Sequence, residues 1–222
     1  MIASLMRRAV VFDMDGTLVD SASLAVESAH DGLRAYWSER GREPLFPAER
    51  DIRAAVGLPS LDYFAALLPE ERRADAPALR ALVTHSERRR LARGDGRLMP
   101  HALETLAHLR RAGWALAIVS NCGRGYLDAN LDHLGLRDAV DLALCLDDAP
   151  SKPRNVQDAL RALGATRGAM VGDRAGDIEA GRASGLVTVA CRYGFGAPHE
   201  LADADHAIDG LRELPALLVG LA

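Results

Sequence analysis

The stretch Val10–Asp20, VVFDMDGTLVD, starts as a short apolar run and breaks into a turn at Gly16 that carries two carboxylates, Asp13 and Asp15. A β-branched and aromatic run of this length, bounded by Asp and Gly, reads as a buried strand and its exit. In open α/β sheets, ligands sit outside the carboxyl ends of the strands. Asp13 and Asp15 lie at such an end, so both side chains can turn toward one reacting centre. Gly16 lets the backbone bend there, and Thr17 adds a hydroxyl. A calcium loop of the EF-hand kind would need further acids at fixed offsets, and none follow.

Outward from this stretch, short apolar runs alternate with helical patterns, as in a parallel sheet with crossover helices. Strands are expected at Ala9–Phe12, Trp114–Val119, Leu142–Leu146, Ala169–Val171 and Leu186–Ala190, with a weaker one at Ala207–Ile208. Helices are expected at His101–Arg111, Tyr126–Leu134, Asn155–Leu163, Asp177–Ser184 and Leu211–Leu218. Gly113, Gly135, Gly164 and Gly185 each follow a helical pattern, where a left-handed C-cap favours glycine. The alternation fails once, between Asp20 and Gly96. That segment holds amphipathic helical stretches at Ser21–Arg40, Glu49–Val56, Leu61–Leu67 and Glu70–Arg93, punctuated by Gly and Pro. The expected fold is α/β: a doubly wound, Rossmann-like parallel-sheet core formed by residues 1–19 and 97–222. A small all-helical domain, residues 20–96, is inserted above the strand ends.

Composition excludes several classes. With 49% hydrophobic and 26% charged residues the chain is ordinary globular material, and no stretch is long and apolar enough to span a membrane. The N-terminus places Arg7-Arg8 directly before an apolar run that ends in acids, which reads as a strand and not as a signal peptide. Three widely spaced cysteines with no C-x-x-C pattern suggest reduced thiols and a cytoplasmic protein. The net charge of −4 lacks the footprint of a nucleic-acid binder. The run Arg88-Arg89-Arg90 with Arg93 reads as a solvated helix face, since no aromatic residues interleave for stacking. The seven histidines show no ligand spacing. The 27 basic residues comprise 26 arginines and one lysine, Lys152, which makes that position conspicuous.

Three further strand ends carry functional groups. IVSN leaves Ser120 and Asn121 at the tip of the second strand, and MVGDRAGD leaves Asp173 at another tip with Asp177 four residues on. Lys152 precedes Pro153, which suits the first turn of a helix. Singly these have bland readings, such as helix caps, dipole charges or a surface cation. Four of them at successive strand ends do not.

This set resembles the haloacid dehalogenase superfamily, motif by motif: D-x-D-G-T at Asp13–Thr17, Ser120, Lys152, and G-D-x-x-x-D from Gly172-Asp173 to Asp177. A helical insertion directly after the first motif is similar to that family's cap of the first type. Within the superfamily the chain looks most like the phosphoglycolate phosphatase group, on DIRAAVGLPSLDYF in the cap and YGFGAPHELADADHAIDGLREL near the end. The resemblance implies a hydrolase acting on a small phosphomonoester, with 2-phosphoglycolate the first candidate, through an aspartyl-phosphate on Asp13. Asp15 is then the general acid and base, and Lys152 neutralises charge. Asp13, Asp15 (through its carbonyl), Asp173 and Asp177 hold or orient Mg²⁺. Thr17, Ser120 and Asn121 bind the phosphoryl group. The second aspartate argues for C–O–P chemistry, because its role is to protonate a leaving oxygen. The partner is a small phosphorylated metabolite, for a monomer or homodimer.

Two departures lie beside the expected site. Cys122 stands where close relatives often have lysine, and Lys152-Pro153-Arg154-Asn155 replaces K-P-x-P. Cys122 reads as a small space-filling residue or, alternatively, an oxidisable thiol. Arg53, in the cap stretch, is a candidate for a bidentate contact to a substrate carboxylate. A sugar phosphomutase resembling β-phosphoglucomutase and a catalytically silent binding protein on the same scaffold remain alternative readings.

Overall fold

The computed structural model describes residues 7–220, so Met1–Met6 of the N-terminal segment and the last two residues lie outside the described residues. The first strand, β1 (Arg7–Phe12), is followed by four helices: α1 (Ala22–Ser38), α2 (Glu49–Ala55), α3 (Ser60–Ala66) and α4 (Ala76–Ala92). The α/β alternation then resumes with α5 (Ala102–Arg111), β2 (Ala115–Val119), α6 (Arg124–His133), β3 (Leu142–Leu144) and α7 (Lys152–Leu163). It continues through β4 (Ala165–Gly172), α8 (Ala175–Ala183), β5 (Val187–Cys191), β6 (His206–Ile208) and α9 (Leu214–Val219).

All six strands are parallel, in the order β3-β2-β1-β4-β5-β6. The period-2 alternation of β1 serves two cores. Val10 and Phe12 face a cluster with Leu106, Leu127 and Leu214 of α5, α6 and α9, while Ala9 and Val11 face Val156, Leu160 and Ala180 of α7 and α8. Helices cover both faces, so the strands are buried on both sides and read as continuous apolar runs. After β1 the chain fills one side of the sheet with β2 and β3 and then crosses to β4. The strand order therefore reverses between β1 and β4, and it is there that a ligand crevice opens.

The helices α1–α4 hold a core of their own, from Leu33, Tyr36 and Trp37 to Leu79 and Val83. At the α1–α4 crossing, a Cβ on Gly32 would lie 2.4 Å from the Val83 side chain, so glycine is what permits that close approach. The expected helix Glu70–Arg93 divides into a 3-10 turn, Glu70–Asp75, and α4. Pro77 causes the break: it lacks an N–H for an interior helical bond and is accommodated only in a first turn. Strand β4 begins four residues earlier than its apolar run. Its start is polar and partly exposed yet pairs with β1, where a Cβ on Gly168 would come within 1.8 Å of the Ala9 carbonyl oxygen. Strand β3 stops at Leu144 instead of Leu146, because the chain turns there: Asp148 accepts the Cys145 N–H at 2.8 Å. The glycines at 113, 135, 164 and 185 all have positive φ, as helix-terminal left-handed caps require.

Candidate active site

Asp13 follows the last residue of β1 and its N–H donates to the Val171 carbonyl of β4, which places it at the reversal point. Lys152 is the first residue of α7, after the N-cap Ser151. Its Nζ lies 2.5 Å from Asp13 Oδ1 and 2.5 Å from Asp177 Oδ1. Asp177, in the first turn of α8, also accepts the Arg174 N–H at 2.9 Å and so caps the helix it belongs to. Asp173 leaves β4 with both oxygens engaged: Oδ1 accepts from the Thr17 hydroxyl at 3.2 Å and Oδ2 from the Phe195 N–H at 2.6 Å.

Two motif glycines are required by this crowding. Gly16 has φ +82°, and a Cβ there would lie 2.4 Å from Asp173 Oδ2. A Cβ on Gly172 would lie 2.2 Å from Asp177 Cγ. Carboxylate oxygens of Asp13, Asp173 and Asp177 lie within 4.8 Å of one another, all buried. Asp13 Oδ2 is buried with no hydrogen-bond partner. Three hard oxygen donors, one of them unpaired, fit a divalent cation.

Asp15 is held differently. Its Oδ1 accepts from the Tyr126 hydroxyl at 2.8 Å, and its side chain is not part of the three-carboxylate group. Burial pushes its carboxyl above the usual range, partly offset by the Tyr126 hydrogen bond. Burial likewise raises Asp13 well up, against the lowering effect of Lys152. Burial, with Asp177 beside it, raises Asp173 to about 7. For Lys152, burial favours the neutral amine, but the carboxylates of Asp13 and Asp177 outweigh it and hold the ammonium above its ordinary value. Burial, with Asp15 adding to it, pushes the Cys122 thiol far up, so it is a protonated wall residue and not a reactive thiolate.

The crevice is roofed by the helical segment. Asp13, Asp15, Ser120 and Tyr126 line it from the core, and Tyr63, Thr84 and Glu87 from α3 and α4. Two residues read from the sequence as phosphoryl ligands have other partners here. The Thr17 hydroxyl is given to Asp173, and the Asn121 side-chain amide donates to the Gly57 carbonyl at 2.9 Å while the Asn121 main-chain carbonyl accepts the Ser60 N–H. Asn121 therefore ties the helical roof to the core. Ser120 lines the crevice, its Oγ accepting the Cys122 N–H at 3.2 Å. Arg53 is not brought in. It lies on the outer face of α2, its side chain 43% exposed and 4.0 Å from Glu49, because Ile52 and Ala55 take the buried face.

Tyr126, Tyr63 and Glu87 were not legible as site residues. Glu87 had one readable signal: with Leu79, Val83 and Leu91 it forms a strict i, i+4 row in which it alone is charged. Arg174 was missed as well. Its guanidinium donates to the Ala54 carbonyl in the roof at 3.1 Å and to Phe195 in the core at 3.3 Å.

A family model for haloacid dehalogenase-like hydrolases matches residues 7–185. The chain is 33% identical to a phosphoglycolate phosphatase from Cupriavidus necator, over 97% of this chain and 94% of that protein. It is 29% identical to the pyrophosphatase PpaX of Halalkalibacterium halodurans, over 94% of each. Among solved structures it resembles CbbY from Rhodobacter sphaeroides in complex with phosphate, with a TM-score of 0.75 at 22% identity, covering 94% of this chain and 96% of that one. A haloacid dehalogenase-like family protein from Streptococcus pneumoniae gives 0.76 at 22%, covering 96% and 98%. These structural likenesses concern the fold. Taken with the carboxylate pair at the end of β1, the sequence matches show that the chain belongs to the haloacid dehalogenase-like hydrolase family, as an enzyme of its phosphatase kind.

Proposed function

We propose that the protein hydrolyses a small phosphomonoester through an aspartyl-phosphate on Asp13, with Mg²⁺ as its cation. The observation that carries this reading is the pair at the end of β1. Asp13 has one oxygen on Lys152 and the other free, and two residues on Asp15 is held by Tyr126 in a buried setting that favours its protonated form.

Asp13 is the nucleophile, its carboxylate attacking phosphorus as the ester oxygen leaves. Asp15 gives its proton to that oxygen and afterwards takes one from the water that cleaves the acyl phosphate. The Tyr126 hydroxyl keeps the Asp15 carboxyl turned toward the crevice. Lys152 keeps Asp13 oriented and offsets charge on the phosphoryl oxygens, while Asp177 holds the ammonium in place. Ser120, which lines the crevice beside Cys122, turns its hydroxyl to a phosphoryl oxygen, with Thr17 setting the position of Asp173. Asp13, Asp173 and Asp177 would hold or orient the ion, with the Asp15 carbonyl. Bound there, Mg²⁺ supplies positive charge that offsets the repulsion between these acids and a dianionic ester. Residues 20–96 act as a cap that excludes water from the crevice.

Phosphate release from p-nitrophenyl phosphate with Mg²⁺ tests the reading, and Asp13→Asn should abolish it, by about a thousand-fold or more. Absence of release from any phosphomonoester would overturn it. The relatives' names make 2-phosphoglycolate the substrate to try first, and the crevice itself bears on that choice.

A further inference from the structure

The part of the crevice beyond Asp15, where the leaving alcohol must sit, is walled by Tyr63, Phe64, Thr84, Glu87 and Tyr126. No lysine or arginine lines it among the described residues. Arg80 and Arg174, which stand beside the crevice at Gly123 and Gly57, are turned onto other partners: Arg80 onto Asp147, Arg174 onto the Ala54 and Phe195 carbonyls. Arg53 lies outside.

What the wall does present is unsatisfied polarity of a neutral kind. Glu87 is 6% exposed and Tyr63 8%, and Glu87 Oε2 and Tyr63 Oη are buried without a hydrogen-bond partner. Buried polar atoms are nearly always paired, and an orphan costs about 1–3 kcal/mol unless a ligand satisfies it. Both residues line the same crevice, so one ligand there can satisfy the two together.

Resting on the phosphatase reading, we propose that this pocket selects an uncharged, hydroxylated leaving group, a polyol phosphate in chemical class, and discriminates against carboxylate-bearing esters such as 2-phosphoglycolate. A hydroxyl can both donate and accept, so it pairs with Glu87 and Tyr63 together. A carboxylate would be buried beside Glu87 and Asp15, where the guanidinium whose charge reaches Glu87, that of Arg80, is already held by Asp147, which is a strong penalty. Burial, reinforced by Asp15 and opposed by a Thr84 hydrogen bond and the Arg80 charge, raises Glu87 to about 8, which leaves its carboxyl a neutral donor and acceptor near pH 7.

Three esters of matched size, differing only in the group at the far carbon, separate the possibilities: 2-hydroxyethyl phosphate, 2-phosphoglycolate and 2-aminoethyl phosphate. They are assayed on the full chain with Mg²⁺, alongside p-nitrophenyl phosphate. The hydroxyethyl ester should exceed each of the other two by about ten-fold or more in kcat/KM. Glu87→Gln, which keeps a neutral donor and acceptor, should preserve the ratio of hydroxyethyl ester to phosphoglycolate, and Glu87→Ala should lower it by about five-fold or more. A wild-type ratio below ten against either charged ester overturns the proposal, as does a ratio that Glu87→Ala leaves unchanged. If the aryl phosphate is hydrolysed while phosphoglycolate is preferred, only the pocket assignment fails. If no ester releases phosphate, the phosphatase reading fails with it.

Discussion

At the scale of single residues, the lone lysine is the clearest case. In a chain with 26 arginines, basic positions that need only charge are served by arginine, yet position 152 is not. Its Nζ sits between two carboxylates at 2.5 Å each, in a side chain 6% exposed, where a compact point charge fits and a planar five-donor fork does not. Lys152→Arg should keep the fold by circular dichroism and lose about a hundred-fold or more in kcat; near-normal turnover would mean that charge alone suffices. Glu87 gives a second test at this scale. Folding moves its carboxyl from an ordinary 4.5 to about 8, so the folded state holds a proton that the unfolded chain has given up between those values. Its contribution is complete below about pH 4.5 and is lost as pH rises through 8. Glu87→Gln, which cannot ionise, should match the parent in urea melts near pH 4.5 and be more stable by about 1 kcal/mol or more at pH 8. Equal differences at the two pH values would contradict this account.

At the scale of elements, the junction between helices α1–α4 and the sheet combines apolar packing, with Leu24 and Leu91 in the sheet-side core, and a few polar links. Asn121 bridges to Gly57 and Ser60, Arg174 to Ala54, and Arg80 to Asp147. Each is a polar link at the rim of the crevice, worth about 0.5–1.5 kcal/mol, so their loss should loosen the roof without unfolding either core. Asn121→Ala should raise KM for a small ester by about five-fold, with a Tm shift of no more than a few degrees. A fall in kcat at unchanged KM would instead place Asn121 in the chemistry. The helical run was readable here because amphipathic periodicity is local, and so were the caps, since a left-handed C′ position selects glycine. The break before α4 was harder to see. The apolar pattern of residues 70–93 runs on, and only the missing N–H of Pro77 ends it.

For the whole molecule, the parallel sheet gathers acids that are far apart in sequence. Asp13, Asp173 and Asp177 meet because β1 and β4 are neighbours, and their mutual repulsion is a standing cost in the ion-free fold. Mg²⁺ binding should therefore raise Tm, by the equivalent of about 2.7 kcal/mol at a hundred-fold excess over Kd, and Asp173→Asn should remove most of that gain. No dependence of Tm on Mg²⁺ would argue against the three-carboxylate site. The alternation of strands and helices, the insertion after β1 and the order of the motif residues were all determined by sequence alone. Each depends on hydrophobic period, on Gly and Pro, and on residue types at strand ends, which are properties of short segments. The tertiary structure decided which side chains share a cavity. Nothing local marks Tyr126 as the partner of Asp15, 111 positions away, or turns Glu87 inward while its neighbour Arg90 pairs with Glu27 and Asp31 outside. It also gave the Thr17 hydroxyl Asp173 as its partner, set Asn121 against the roof at Gly57 and left Arg53 on the outer face of α2. The physical reason is that a motif specifies a residue's type and strand end, whereas its partner depends on how two separately built cores face each other across the crevice.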